Sequence, residues 1–217
     1  EPLAELLLTA TGNDKTVEQL AEAYVNPELE VSTVEEALAG AGHILAERFA
    51  DDAAARATVR DLTWNKGLFC SQAARGKEGT VSKYEMYYDF SEAVKQVPSH
   101  RMLAMRRGEK EEILRLHIAA PEEEILARLQ QQLIPESCCF KDFLANVVRD
   151  AYIRLLSVSI EVELRLQAKM HADDEAIKVF AENLRNLLLA APAGSKRVLG
   201  IDPGLRTGSK LAVVDAT

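Results

Sequence analysis

Between Phe140 and Pro192 the chain has no glycine or proline, and its apolar positions fit two periods at once. In "SVSIEVELRL", Val158, Ile160, Val162, Leu164 and Leu166 alternate with polar residues, as on a half-buried strand. Leu144, Val148, Tyr152, Leu155, Val158 and Val162 instead step by three or four, as on one face of a helix. Because no turn residue interrupts the stretch, the pattern predicts a long helix. A second helix is expected to restart at Asp173 or Asp174 with Ile177, Phe180, Leu184 and Leu187 on one face, and "AAPAGS", residues 190 to 195, reads as a linker.

The first half predicts short, capped helices. Thr16-Val17-Glu18-Gln19, Ser32-Thr33-Val34-Glu35 and Ser82-Lys83-Tyr84-Glu85 have the form in which a hydroxyl and an acid or amide cap a helix start reciprocally. The second should open an Ala-rich helix that turns Leu38, Ile44, Leu45 and Phe49 to a core and Glu35, Glu36, Glu47 and Arg48 to water. From Asp51 to Lys77 a helix carrying Val59, Leu62 and Trp64, a break at Gly67 and a second helix would make a helix-turn-helix over 51–77. Its credible base-contacting side chains are Ser71, Gln72 and Arg75, against the simpler alternative of a packing pair. Pro98-Ser99 suits another helix start, Gly108 a left-handed helix end, and "ILRLHI" a half-buried strand. Pro121 with Glu122, Glu123 and Glu124 marks a helix N-terminus rather than a metal site.

Composition narrows the chemistry. With a net charge of -8, no global positive field draws the chain to nucleic acid, so any such site must be local. The most basic stretch holds Arg101, Arg106, Arg107, Lys110 and Arg115. Glu109, Glu111 and Glu112 lie among these cations, so phosphate contact competes with an internally paired, solvated helix end. Cys70, Cys138 and Cys139 lack the spacing of a zinc site and are expected to be reduced and buried. His43, His100, His117 and His171 adjoin no recognisable nucleophile or carboxylate pair, so no catalytic residue and no cofactor is expected. No apolar run approaches the ~20 residues of a membrane span, and the N-terminus lacks a signal-peptide pattern. A cytoplasmic protein without a membrane partner is expected, cut at both ends from a longer chain.

The chain closes with "VLGIDPGLRTGSKLAVVDAT". Val198 to Ile201 read as a buried strand with Asp202 at its end, Pro203-Gly204 as a turn with Arg206 projecting from it, and Leu211, Val213 and Val214 as a returning strand that ends near Asp215. An acid on such a strand is where two-metal nucleases place a ligand, but that chemistry needs several convergent carboxylates.

This closing motif resembles the start of the YqgF domain, a RuvC-like ribonuclease H fold, in the Tex family of bacterial transcription accessory proteins. "YYDFSEAVKQVPSHRMLAMRRGEKEEILRLHI" and "AIKVFAENLRNLLLAAPAG" are similar to the core of that family and to the helix and linker before YqgF. The resemblance implies a mainly α fold: a multi-helical domain over 1–195 with a small β element, then the first β-hairpin of a truncated ribonuclease H-like domain over 196–217. It implies a non-enzymatic scaffold segment of a nucleic-acid-binding factor. RNA or DNA would be bound mainly through domains outside this segment, an OB-fold among them, with the transcription machinery a further partner. Arg75, Arg101, Arg106, Arg107, Lys110 and Arg115 are the local nucleic-acid-binding candidates, and Asp202 matches a vestigial metal position. The alternative is part of a metal-dependent nuclease whose remaining carboxylates lie beyond residue 217. A third reading, an actin-like ATPase, fits less well because the loop carries Pro203-Gly204-Leu205-Arg206 where a phosphate-facing hydroxyl is usual.

Overall fold

The computed structural model describes residues 1–12, 15–29, 31–192, 194–204 and 208–215. It is mainly helical with two small antiparallel sheets, and divides into compact units at 1–176 and 177–217. Its helices are α1 (Pro2–Thr9), α2 (Val17–Ala21), α3 (Val34–Asp51), α4 (Ala53–Lys66), α5 (Ser99–Lys110), α6 (Glu122–Leu133), α7 (Lys141–Asp150) and α8 (Ser157–Leu188). Strands β1 (Leu68–Ala73), β2 (Asp89–Ala93) and β3 (Leu114–Ala119) form a sheet in the order β2-β1-β3, and β4 (Val198–Gly204) and β5 (Gly208–Val214) form a hairpin. Among the described residues no helix is long and apolar enough to cross a membrane.

Capping chemistry sets the early helix starts. Thr16 and Gln19 cap α2 reciprocally, as expected. At α3 the pair is Thr33 with Glu36, one residue later than the sequence reading placed it, because only the acid at the third helical position can reach back to the cap. At Ser82 the box is incomplete: Glu85 accepts the Ser82 N–H at 2.9 Å, but Ser82 Oγ accepts from Tyr84, and only a short 3-10 turn follows. On α3, Leu45 and Phe49 are buried and Leu38 is half-buried, whereas Ile44 faces outward at 39% exposure.

The helix-turn-helix expectation fails at Gly67. Helix α4 forms and ends at Gly67, whose backbone is extended, and only glycine fits there because a Cβ would lie 2.4 Å from the Thr63 carbonyl oxygen. The next residues form the central strand β1, not a helix. "LFCSQA" alternates, with Phe69 and Ser71 turned inward, and β1 finds antiparallel partners on both sides. The expected strand around "ILRLHI" is β3, with Leu114, Leu116 and Ile118 buried.

Gly108 also serves differently than its sequence suggests. It sits inside α5, where a Cβ would meet Leu114 Cδ1 at 2.6 Å and Cγ at 2.8 Å. The left-handed position falls to Glu112, with φ of 57°. There Ile113 N–H bonds the Gly108 carbonyl and Glu112 N–H the Glu109 carbonyl, both at 3.0 Å, which is the Schellman closure of a helix.

The long helical stretch is borne out, with one irregularity. Residues Ala151–Leu156 form a π-helical turn between α7 and α8. A π turn admits one extra residue, and the buried row runs Leu144 and Val148 before it, Tyr152 and Leu156 within it, and Ile160, Leu164, Ala168 and Ala172 after it. Val158 and Val162, expected on the buried face, are instead exposed. The helix does not restart at Asp173: Lys169 pairs with Asp173 one turn on, and α8 continues to Leu188. In the second unit Ile177, Phe180, Leu184 and Leu187 are exposed, as is the hairpin.

Gly108→Ala is expected to cost about 1–3 kcal/mol in chemical denaturation by overpacking against Leu114. Glu112→Gly should have the opposite sign. It relieves a left-handed conformation that costs about 1–2 kcal/mol, less the chain entropy of glycine, for a net gain of about 0.5–1 kcal/mol.

Candidate nucleic-acid interface

The basic stretch divides into cations committed to the fold and cations left in solvent. Arg101, in the first turn of α5, donates to Glu92 of β2 at 3.0 Å, and its guanidinium carbon stands 5.8 Å from the Phe90 ring centre. Arg106 donates to Glu109 at 3.1 Å, and the other Glu109 oxygen accepts from Arg165 on α8. Arg101 thus ties α5 to β2 and Arg165 ties α8 to α5, while Arg106 is held within α5 by the Glu109 that it shares with Arg165. Arg107 and Lys110 are exposed in the last turn of α5, where positive charge is favoured by the unpaired helix carbonyls.

Arg115 is exposed on β3, in register with Gln72 of β1, which is in turn opposite Asp89 of β2. Arg75 lies just past β1, where Ala74 N–H bonds the Ile113 carbonyl at 2.8 Å. Since Ile113 also closes α5, the end of β1, the start of β3 and the C-terminus of α5 meet there. That junction carries Arg75, Arg107, Lys110 and Arg115, and none of the four has an ion pair within 4.0 Å among the described residues. Acids are interspersed. Glu78 accepts the Gly76 N–H at 2.8 Å, and Glu111 accepts from Lys83 at 3.0 Å and from the Tyr84 hydroxyl at 2.8 Å. The Lys83 hydrogen bond, then that of Tyr84, holds the Glu111 carboxyl below the usual carboxylate range, and Lys83 and Arg107 reinforce this by charge.

The three side chains proposed for base contact separate. Ser71 is fully buried on the inner face of β1, and its hydroxyl has no hydrogen-bond partner among the described residues. Gln72 faces out beside Asp89 and Arg115, and Arg75 is exposed. Cys70 and His117 sit opposite each other on that outer face, with Ser91 beyond. The sequence reading passed over this open face, although the alternation of "LFCSQA" marks it. The cysteines are free, but only Cys138 is buried; Cys70 is half-buried and Cys139 exposed. His43, His100 and His171 are exposed.

On the hairpin, Pro203 and Gly204 belong to β4 rather than to a turn, paired with Ser209 and Gly208. Asp202 is opposite Lys210, and Asp215 follows β5, 3.4 Å from Arg197. Arg206 lies outside the described residues. A divalent ion needs several converging oxygen ligands. Asp202 by itself is one such ligand, and among the described residues no group of three His, Cys, Asp or Glu could hold a metal.

Residues 13–180 match the family described as Tex central region-like. The chain belongs to that family. It is 42% identical, over its whole length, to YdcI of Bacillus subtilis (strain 168), and 39% identical to the transcriptional accessory protein Tex of Neisseria gonorrhoeae, spanning 30% and 29% of those proteins. It is 30% identical over 90% of its length to the S1 RNA-binding domain-containing protein 1 of Pongo abelii, spanning 21% of that protein. The chain thus covers less than a third of these relatives, and the Tex resemblance seen in its sequence is borne out.

Ser71→Ala should raise stability by about 1 kcal/mol in urea denaturation, because it removes a buried, unpaired hydroxyl. It should leave nucleic-acid binding unchanged, the reverse of what a base-contacting serine would do. For Glu111, depression of the folded value below the reference of 4.5 means that its contribution to stability is complete above 4.5 and disappears as pH falls through the folded value. Carboxyl NMR titration should show the depression in the parent chain and its reduction in Lys83→Met.

Proposed function

We propose that this chain is a non-enzymatic scaffold segment of a Tex-like transcription accessory factor. It would position nucleic-acid-binding domains that lie outside it, and Arg75, Arg107, Lys110 and Arg115 would add a weak phosphate contact of their own. The observation that carries this reading is the match of the whole chain to Tex relatives, one of them named a transcriptional accessory protein. Support for the local contact comes from the unpaired cations at the junction of α5, β1 and β3. Support for RNA as the nucleic acid comes from the relative named for an S1 RNA-binding domain. The 198–214 hairpin belongs in this reading to the start of a ribonuclease H-like YqgF domain, and the factor is soluble and cytoplasmic.

Fluorescence anisotropy with labelled single-stranded RNA tests the proposal. Four phosphate contacts should give a slope of log K against log salt of about -3, and Arg107→Gln with Lys110→Gln should make it shallower by about 1.4. Arg101→Gln should leave the slope unchanged. Joining the polypeptide that surrounds this segment in its longer relatives should tighten binding. Equal affinity with and without that polypeptide would overturn the scaffold assignment, and a slope indifferent to Arg107 and Lys110 would remove the local contact. Magnesium-dependent RNA cleavage lost in Asp202→Asn would establish the nuclease alternative.

A further inference from the structure

A cavity of about 410 Å³ lies in the first unit, between α4, the end of β3, the start of α6 and the π turn leading into α8. Its apolar wall includes Val59, Ile118, Ile153 and Ile160. Three hydroxyl residues, Thr63, Tyr152 and Ser157, and two carboxylates, Glu122 and Glu161, complete the lining, and no Lys, Arg or His contributes to it. The volume is in the range of small-molecule sites, and an apolar lining with a few converging polar groups is their usual composition.

Two observations distinguish this cavity from a packing flaw. Tyr152 and Thr63 are each only 4% exposed and both line the cavity, and neither hydroxyl has a hydrogen-bond partner among the described residues. Glu161 is held in place from one side: its Oε1 accepts the Ile118 N–H at 3.2 Å and lies 3.9 Å from Arg165, which leaves Oε2 without a partner among the described residues. Glu122 is 3.9 Å from Arg149. The π turn places Tyr152 and Ile153 on this wall, and such turns recur at ligand sites.

We propose that this cavity binds an organic cation with a short aliphatic body, a guanidinium or primary ammonium group whose N–H donors meet Glu161, Glu122 and the Tyr152 hydroxyl while its methylenes lie against Ile153 and Ile160. The carboxylates accept from a charged head more strongly than from a neutral one, and the hydroxyls supply acceptors in a fixed place. The same chemistry is available from a free small molecule and from an arginine or lysine side chain of a partner protein.

The probe is n-butylguanidinium, with neutral n-butylurea as its isostere, in calorimetric titrations of the whole chain. Butylguanidinium should bind in the millimolar range or tighter, with butylurea at least about tenfold weaker. Glu161→Gln keeps an acceptor for Ile118 but loses the charge, and Tyr152→Phe loses the hydroxyl; each should weaken binding about tenfold or more. Glu47→Gln, on the exposed face of α3, should not. Equal losses in all three variants, or equal binding of the urea, would reduce the effect to general attraction by an acidic protein and overturn the site. Should Glu161→Gln fail to fold, intermolecular NOEs decide: cross-peaks from the butyl chain to the Ile153 and Ile160 methyls uphold the site, and their absence overturns it. Tighter competition by an arginine-bearing peptide would identify a partner side chain as the source, and weaker competition a free small molecule.

Discussion

Ile118 at the outer edge of β3 donates its backbone N–H to Glu161 of α8 at 3.2 Å, and the placement of the longest helix on the sheet follows from that contact. An exposed strand edge leaves backbone groups unpaired, and covering it with a helix is one way to close it. Two further pairs hold the same stretch of α8. Arg60 of α4 grips Glu163 with bonds of 2.6 and 3.2 Å, and Arg165 reaches back to Glu109 of α5. Beneath these polar clamps Leu156, Ile160 and Leu164 are buried, so directional bonds set the orientation and apolar burial supplies most of the stabilisation.

The π turn makes the arrangement possible. Helix α7 buries Leu144, Val147 and Val148, and an uninterrupted α-helix would carry that stripe on toward Val158 and Val162. One extra residue rotates the stripe so that Ile160 and Leu164 face inward and Glu161 meets the strand edge. The same widened turn forms a wall of the cavity, so closure of the sheet edge and a concave site come from one local irregularity.

Charge is divided in the same way. Arg60, Arg101, Arg106 and Arg165 all pair with acids across or within elements, which removes these four arginines from any contact with a ligand. Among the cations left in solvent, Arg75, Arg107, Lys110 and Arg115 gather at one end of the sheet, interspersed with Glu78 and Glu111, while others such as Arg128, Lys141 and Lys178 lie on other elements.

The sequence by itself determined the features that depend on near neighbours: the reciprocal cap at Thr16, the proline-led start of α6, the half-buried alternation of β3 and the unbroken run from α7 into α8. It also carried the family. Where it misled, the deciding partner lay in another element. The alternation in "SVSIEVELRL" produced a helix with apolar residues on two opposite faces, and only packing against β3 and α4 selected Ile160 and Leu164 over Val158 and Val162. "LFCSQA" became a strand because β2 and β3 stand on either side of it, and Gly108 was needed for the approach of Leu114 rather than for a turn. Which arginines are paired, and that Thr63, Tyr152 and Glu161 converge on one cavity, was decided by tertiary structure alone. Burial and ion pairing depend on distances between residues far apart in the chain, 103 positions for Arg60 and Glu163 and 43 for Ile118 and Glu161, and no local pattern encodes those.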